Sequence, residues 1–123
     1  MSPLDPATLS TLHALDPDGS RGLLGRLVDA FDRTLARQLA ELDAAWDIGP
    51  DLPRLGRAAH TLKSACAHLA ALDAAAQCQA VERMCRDAHA ADLSEALTQV
   101  RQRLLDAQAA LHALPGLRAP VSS

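Results

Sequence analysis

Aromatic and β-branched residues are nearly missing from this chain, which has one Phe, one Trp, no Tyr, four Val and one Ile. Strands draw on those residue types, so a sheet has little to be built from. The same scarcity leaves no stacking platform for nucleobases, and a formal net charge of -3 offers no basic footprint for a nucleic acid. Cysteine is sparse and unpatterned: Cys66, Cys78 and Cys85 are odd in number and contain no Cys-x-x-Cys pair, which argues against a disulfide framework and a zinc ribbon. No stretch approaches the roughly 18 apolar residues of a membrane span, and residues 1–15, with Pro3, Asp5 and Pro6, lack the basic start of a leader. These absences predict a cytoplasmic chain with reduced thiols and neither a membrane nor a nucleic acid as partner.

What the chain has in abundance is Ala and Leu, 26 and 22 of 123 residues, the best helix formers. With 49% apolar residues it has material for one modest core and no room for a second domain. Punctuation sets the predicted elements. Asp5-Pro6 starts a short helix that ends at the Asp16-Pro17-Asp18-Gly19 turn. A second runs over 20–46 on Leu24, Leu27, Val28, Phe31, Leu35, Leu42, Ala45 and Trp46, and stops at Gly49-Pro50. A third is predicted from Asp51 or Leu52 to 71, with Asp73 as the N-cap of a fourth over 74–88 that carries Ala74, Cys78, Val81, Cys85 and Ala88. The fifth, over 93–113, repeats Leu93, Leu97, Val100, Leu104, Ala107, Leu111 and Leu114 before Pro115-Gly116. Long amphipathic helices on short links predict an all-α, up-down antiparallel four-helix bundle with a short additional N-terminal helix. The expected domain is 1–114, with 115–123 a disordered tail.

At about 100° per residue, Leu55, Ala58, Ala59, Ala65, Cys66 and Leu69 fall within about 60° of Leu62, whereas His60 lies about 160° away, on the water side. Lys63 and Ser64 stand one turn further on, and Gly56 and Arg57 one turn back. Of twelve cationic side chains Lys63 is the single lysine, three residues after His60. A compact ammonium beside an exposed imidazole suits a tetrahedral phosphoryl group. The other histidines, His13, His68, His89 and His112, have no such surroundings, and His68 alone is close enough to be a rival acceptor. Cys78, Cys85 and His89 are the nearest approach to a metal set, but the two cysteines sit on the apolar stripe and are expected to be core thiols. Neither a Gly-rich phosphate loop nor an aspartate cluster is present, which excludes ATP binding and receiver chemistry within the chain.

The stretch from Leu55 to Leu72, with His60-Thr-Leu62-Lys63-Ser-Ala, followed by Cys78-Gln-Ala-Val81-Glu82, resembles the histidine-containing phosphotransfer (HPt) domain family. His60, Leu62, Lys63, Leu69, Cys78, Val81 and Glu82 match its pattern. Ser64 and Ala65 stand where Gly-Ser is usual, and Ala70 where Gly is usual. The resemblance implies that His60 is the phosphoacceptor, that Lys63 stabilises the phosphoryl group, and that Glu82 orients the imidazole, unless it merely pairs with Arg86. It implies docking of a partner through Gly56, Arg57, Ser64, Ala67 and Arg86, on a flat exposed patch. The implied partners are receiver domains of response regulators or hybrid sensor kinases. The chain is then expected to be a monomeric carrier without kinase or ATPase activity and without a cofactor, the magnesium of such relays belonging to the receiver. The initial Met and polar ends favour a free-standing protein. The competing reading is a helical adaptor that binds a receiver or partner helix independently of phosphorylation, which the departures at Ser64, Ala65 and Ala70 support.

Overall fold

The computed structural model describes residues 3–47, 49–87 and 90–114. They contain five α-helices: α1 (Pro6–Leu15), α2 (Leu23–Asp47), α3 (Leu52–His68), α4 (Leu72–Arg86) and α5 (Leu93–His112), the last entered through a 3-10 turn at Ala90–Asp92. The chain is all-helical among the described residues, as its composition predicts. The predicted tail 115–123 and Ala88 and His89 lie outside them.

Short polar side chains set the starts of α1, α2 and α3. The Asp5 carboxylate accepts from the Thr8 N–H at 2.9 Å and from the Thr8 hydroxyl at 2.6 Å, with Pro6 in the first turn of α1. Asp51 caps α3 in the same way, accepting from the Arg54 N–H at 3.3 Å. Before α2, Asp16 accepts from the Arg21 N–H at 3.3 Å and the Leu23 N–H at 3.1 Å, and Gly22 has φ 62°. This turn delays α2 to Leu23, three residues later than the apolar spacing predicts.

The α3–α4 joint differs most from expectation. Helix α3 stops at His68 because Ala70 takes φ 67°, a left-handed conformation that no continuing helix contains, while the Ala71 N–H bonds back to the Cys66 carbonyl at 2.9 Å. Ala71 rather than Asp73 is the N-cap of α4; it has no side chain to cap with, and Asp73 sits inside the first turn, where its charge complements the helix dipole. The left-handed position accounts for the Gly usual there in the family pattern: an alanine held in that conformation costs about 1–2 kcal/mol. The Asp5 N–H donates to the Ala70 carbonyl at 2.6 Å, tying the start of α1 to this joint above the buried Leu4.

The core is made of Val28, Phe31 and Leu35 from α2, Leu55, Leu62 and Cys66 from α3, Cys78 and Val81 from α4, and Leu93, Val100, Leu104 and Leu111 from α5, with no buried polar side chain among the described residues. Five predicted apolar positions, Leu24, Leu27, Ala65, Leu97 and Leu114, are only half-buried, whereas Ala96, not predicted, is buried. Trp46 is half-buried at the margin of the core instead of filling it. Helix α3 packs most extensively on α4, with α2 against α3 and α5 against α4. Small buried residues on both sides of that central pair, Ala58 and Ala59 on α3, Ala74 and Ala75 on α4, permit close approach. The sparser α2–α5 seam is closed by polar pairs, His112 Nε2 with Asp32 Oδ2 at 2.8 Å, Gln108 with Asp32 at 2.9 Å, and Arg101 with Asp43. Among the described residues no helix is long and apolar enough to cross a membrane.

Candidate functional site

Burial of Leu55, Leu62 and Cys66 turns the opposite face of α3 outward, and the His60 side chain is 61% exposed. Helix α4 runs alongside and projects Glu82 toward it. Glu82 Oε2 lies 2.9 Å from His60 Nδ1, and Glu82 Oε1 lies 2.9 Å from Lys63 Nζ. One carboxylate therefore joins the two side chains that the sequence singles out. The Lys63 hydrogen bond, followed by that of His60, holds the Glu82 carboxyl below the usual glutamate value. An ionised carboxylate carries no proton to donate, so the short contact requires Nδ1–H to be the donor, which leaves the lone pair of the neutral ring on Nε2. The alternative Glu82–Arg86 pair does not form among the described residues; Glu82 reaches across to α3 instead.

The surface beside the imidazole is open and shallow. A groove of about 810 Å³ runs from His60 toward the start of α3, lined by Leu52, Pro53, Gly56, Arg57, Thr61, Glu82, Cys85 and Arg86. Gly56, which brings no side chain to the groove, is among its lining residues and faces Cys85 of α4. Arg57 and Arg86 are exposed at the rim, and Ser64 and Ala67 are exposed on the other side of His60. The docking residues expected from sequence thus share one face of α3 and α4, divided by the imidazole.

Cys78 and Cys85 are disfavoured as thiolates. Contact with Cys66 and burial push the Cys78 thiol up, and burial does the same to Cys85. All three are buried and unpaired. Among the described residues no group of three His, Cys, Asp or Glu could hold a metal ion; His89 of the weighed set falls outside them. His68 is exposed two turns beyond His60, and His13 is exposed on α1. The engagement of His112 with Asp32 has no signal in the sequence, since it joins residues 80 positions apart.

An exposed imidazole on a helical face, hydrogen-bonded through one ring nitrogen and flanked by an ammonium, is suited to carrying a phosphoryl group. The family model of the Hpt domain matches residues 26–114, and the chain belongs to that family of histidine phosphotransfer domains, which carry phosphoryl groups in phosphorelays and interact with receiver domains. Among solved structures it is similar to the crystal structure of histidine-containing phosphotransfer protein B (HptB) from Pseudomonas aeruginosa PAO1, with 22% identity, a TM-score of 0.77, and coverage of 89% of this chain and 90% of that one. A search of curated proteins gives no significant match.

Proposed function

We propose that His60 is the phosphoacceptor and exchanges a phosphoryl group with the aspartate of receiver domains in response regulators or hybrid sensor kinases. The observation that carries this reading is the shared carboxylate of Glu82, with 2.9 Å contacts to both His60 Nδ1 and Lys63 Nζ. With Nδ1–H engaged, Nε2 presents a lone pair and needs no base to remove a proton. Nε2 attacks phosphorus in line, the N–P bond forms as the P–O bond of the acyl phosphate breaks, and the aspartate leaves as carboxylate. The ring keeps its Nδ1 proton and gains a positive charge, which faces the Glu82 carboxylate. Lys63 Nζ screens the phosphoryl oxygens, while Glu82 is a positioning residue acting through both neighbours. Transfer back to a receiver runs the same steps in reverse.

The carrier operates as a monomer, on an antiparallel bundle of α2 to α5 with α1 beside it, within a domain of residues 1–114. It needs no cofactor and has no kinase or ATPase activity; the magnesium sits in the receiver's acidic pocket. The test is transfer from a panel of phosphorylated receivers to the wild type and to His60→Gln, scored as an acid-labile group by intact mass. Label in the wild type alone is the expected result. No label from a donor that binds would turn the reading to a phosphorylation-independent adaptor.

A further inference from the structure

Gly56 sits in the interior of α3, where glycine weakens a helix relative to alanine. The fold does not require it: a Cβ at this position would meet only the Cys85 Cβ at 3.5 Å, an ordinary contact. Gly56 lines the groove beside His60 together with Pro53 and Cys85, and a larger side chain there would occupy part of that space. On the other side of the imidazole, one turn on, Ser64 is exposed and raises a hydroxyl where the family pattern has Gly. The side-chain-free position on this face is therefore four residues before His60, and a hydroxyl stands four residues after it. The groove is continuous with the proposed acceptor, as His60 and Glu82 are among its walls, and its rim is cationic through Arg57 and Arg86.

We infer that the receiver approaches over the amino-terminal half of α3, seating an apolar side chain in the groove above Gly56 and facing carboxylates toward Arg57 and Arg86, and that Gly56 is thereby a specificity-determining residue. This rests on His60 being the acceptor. An apolar anchor enclosed by a charged rim is the usual form of a small, transient interface. The rim accelerates encounter with an acidic partner, and the effect weakens as salt rises.

The experiment compares Gly56→Leu, Gly56→Ala and Ser64→Leu with the wild type, using a phosphorylated receiver that labels the wild type. Phosphoramidate, too small to need docking, serves as a second donor that reports on the imidazole itself. Leucine and alanine both favour the helix over glycine, and far-UV circular dichroism checks the fold. Gly56→Leu should slow receiver transfer about tenfold or more, by the weight of one interface anchor, with Gly56→Ala intermediate and Ser64→Leu less affected than Gly56→Leu. Arg86→Glu should slow transfer most at low salt and least at high salt. Loss in Ser64→Leu that exceeds loss in Gly56→Leu, or transfer in Gly56→Leu within about twofold of wild type, overturns the inference. Phosphoramidate label on His60 alongside that result would leave the carrier reading standing; receiver label that persists in His60→Gln would remove that reading as well.

Discussion

Replacing His60 by Gln removes the proposed acceptor and should leave the fold almost untouched. The imidazole is 61% exposed, and its one hydrogen bond runs to Glu82 at the surface. A bond of that kind contributes about 0.5–1 kcal/mol, and the glutamine amide can donate to Glu82 in its place. The expected loss is below about 1 kcal/mol, a fall in melting temperature of about 5 °C or less for a chain of this size. Two residues along the helix, Leu62 is fully buried, and Leu62→Ala should cost about 2–5 kcal/mol. Urea titration followed by circular dichroism at constant m-value gives both numbers, and intact mass after incubation with a phosphorylated receiver gives the label. A loss above about 2 kcal/mol in His60→Gln would mean that the imidazole supports packing, against the placement described here. Phosphoryl label retained by His60→Gln would move the acceptor elsewhere, with the exposed His68 the first position to examine.

Three further outcomes are expected. Lys63→Ala should slow transfer and change the lifetime of the phosphohistidine, and Lys63→Arg should restore it only in part because a planar guanidinium cannot reproduce a rotatable ammonium; equal rates in all three chains would remove Lys63 from the chemistry. Because the folded-state value of Glu82 is depressed, its stabilising contribution is complete above the ordinary glutamate value of 4.5 and is lost as pH falls through the lowered one. Carboxyl-carbon NMR should place that midpoint below 4.5, and Lys63→Met should raise it, since the lysine is the largest cause; an unmoved midpoint contradicts the assignment. Ala70→Gly and Ala71→Gly each delete a fully buried methyl, but only Ala70 has a positive φ. Ala71→Gly should therefore be the more damaging by about 1–2 kcal/mol, the cost of left-handed alanine, and equal losses in denaturant titration would show that the joint holds no such strain.

The helical class and the outward placement of His60 were legible because both follow from local rules, propensity and a 3.6-residue period. The partnership of His60, Lys63 and Glu82 was only half legible. Lys63 lies one turn from His60 on the same helix, whereas Glu82 comes from α4, and periodicity alone did not separate a reach across to α3 from a pair with Arg86. The α3–α4 joint departs from the capping pattern: Asp73 is a strong capping residue, yet the turn is made by backbone geometry at Ala70, a position whose side chain gives no hint of positive φ. Trp46 was expected in the core on hydrophobicity, but its place at the end of α2 leaves it on the margin. The groove has no signature in the sequence, because a glycine reads as missing hydrophobicity until the helix opposite is known.

The joint tie between Asp5 and the Ala70 carbonyl bears on how the molecule is used. His60 has the Gly56 side of the groove before it and Ser64 after it on one shared face of α3 and α4, so a receiver delivering a phosphoryl group and a receiver collecting it would cover the same ground. Two such partners exclude each other, and throughput is then governed by how fast the first one leaves. Tight binding would stall the traffic, while a small footprint with a short residence time lets it proceed. With its first turn anchored at the α3–α4 joint, past the carboxyl-terminal end of α3, α1 starts at the opposite end of that helix from the groove.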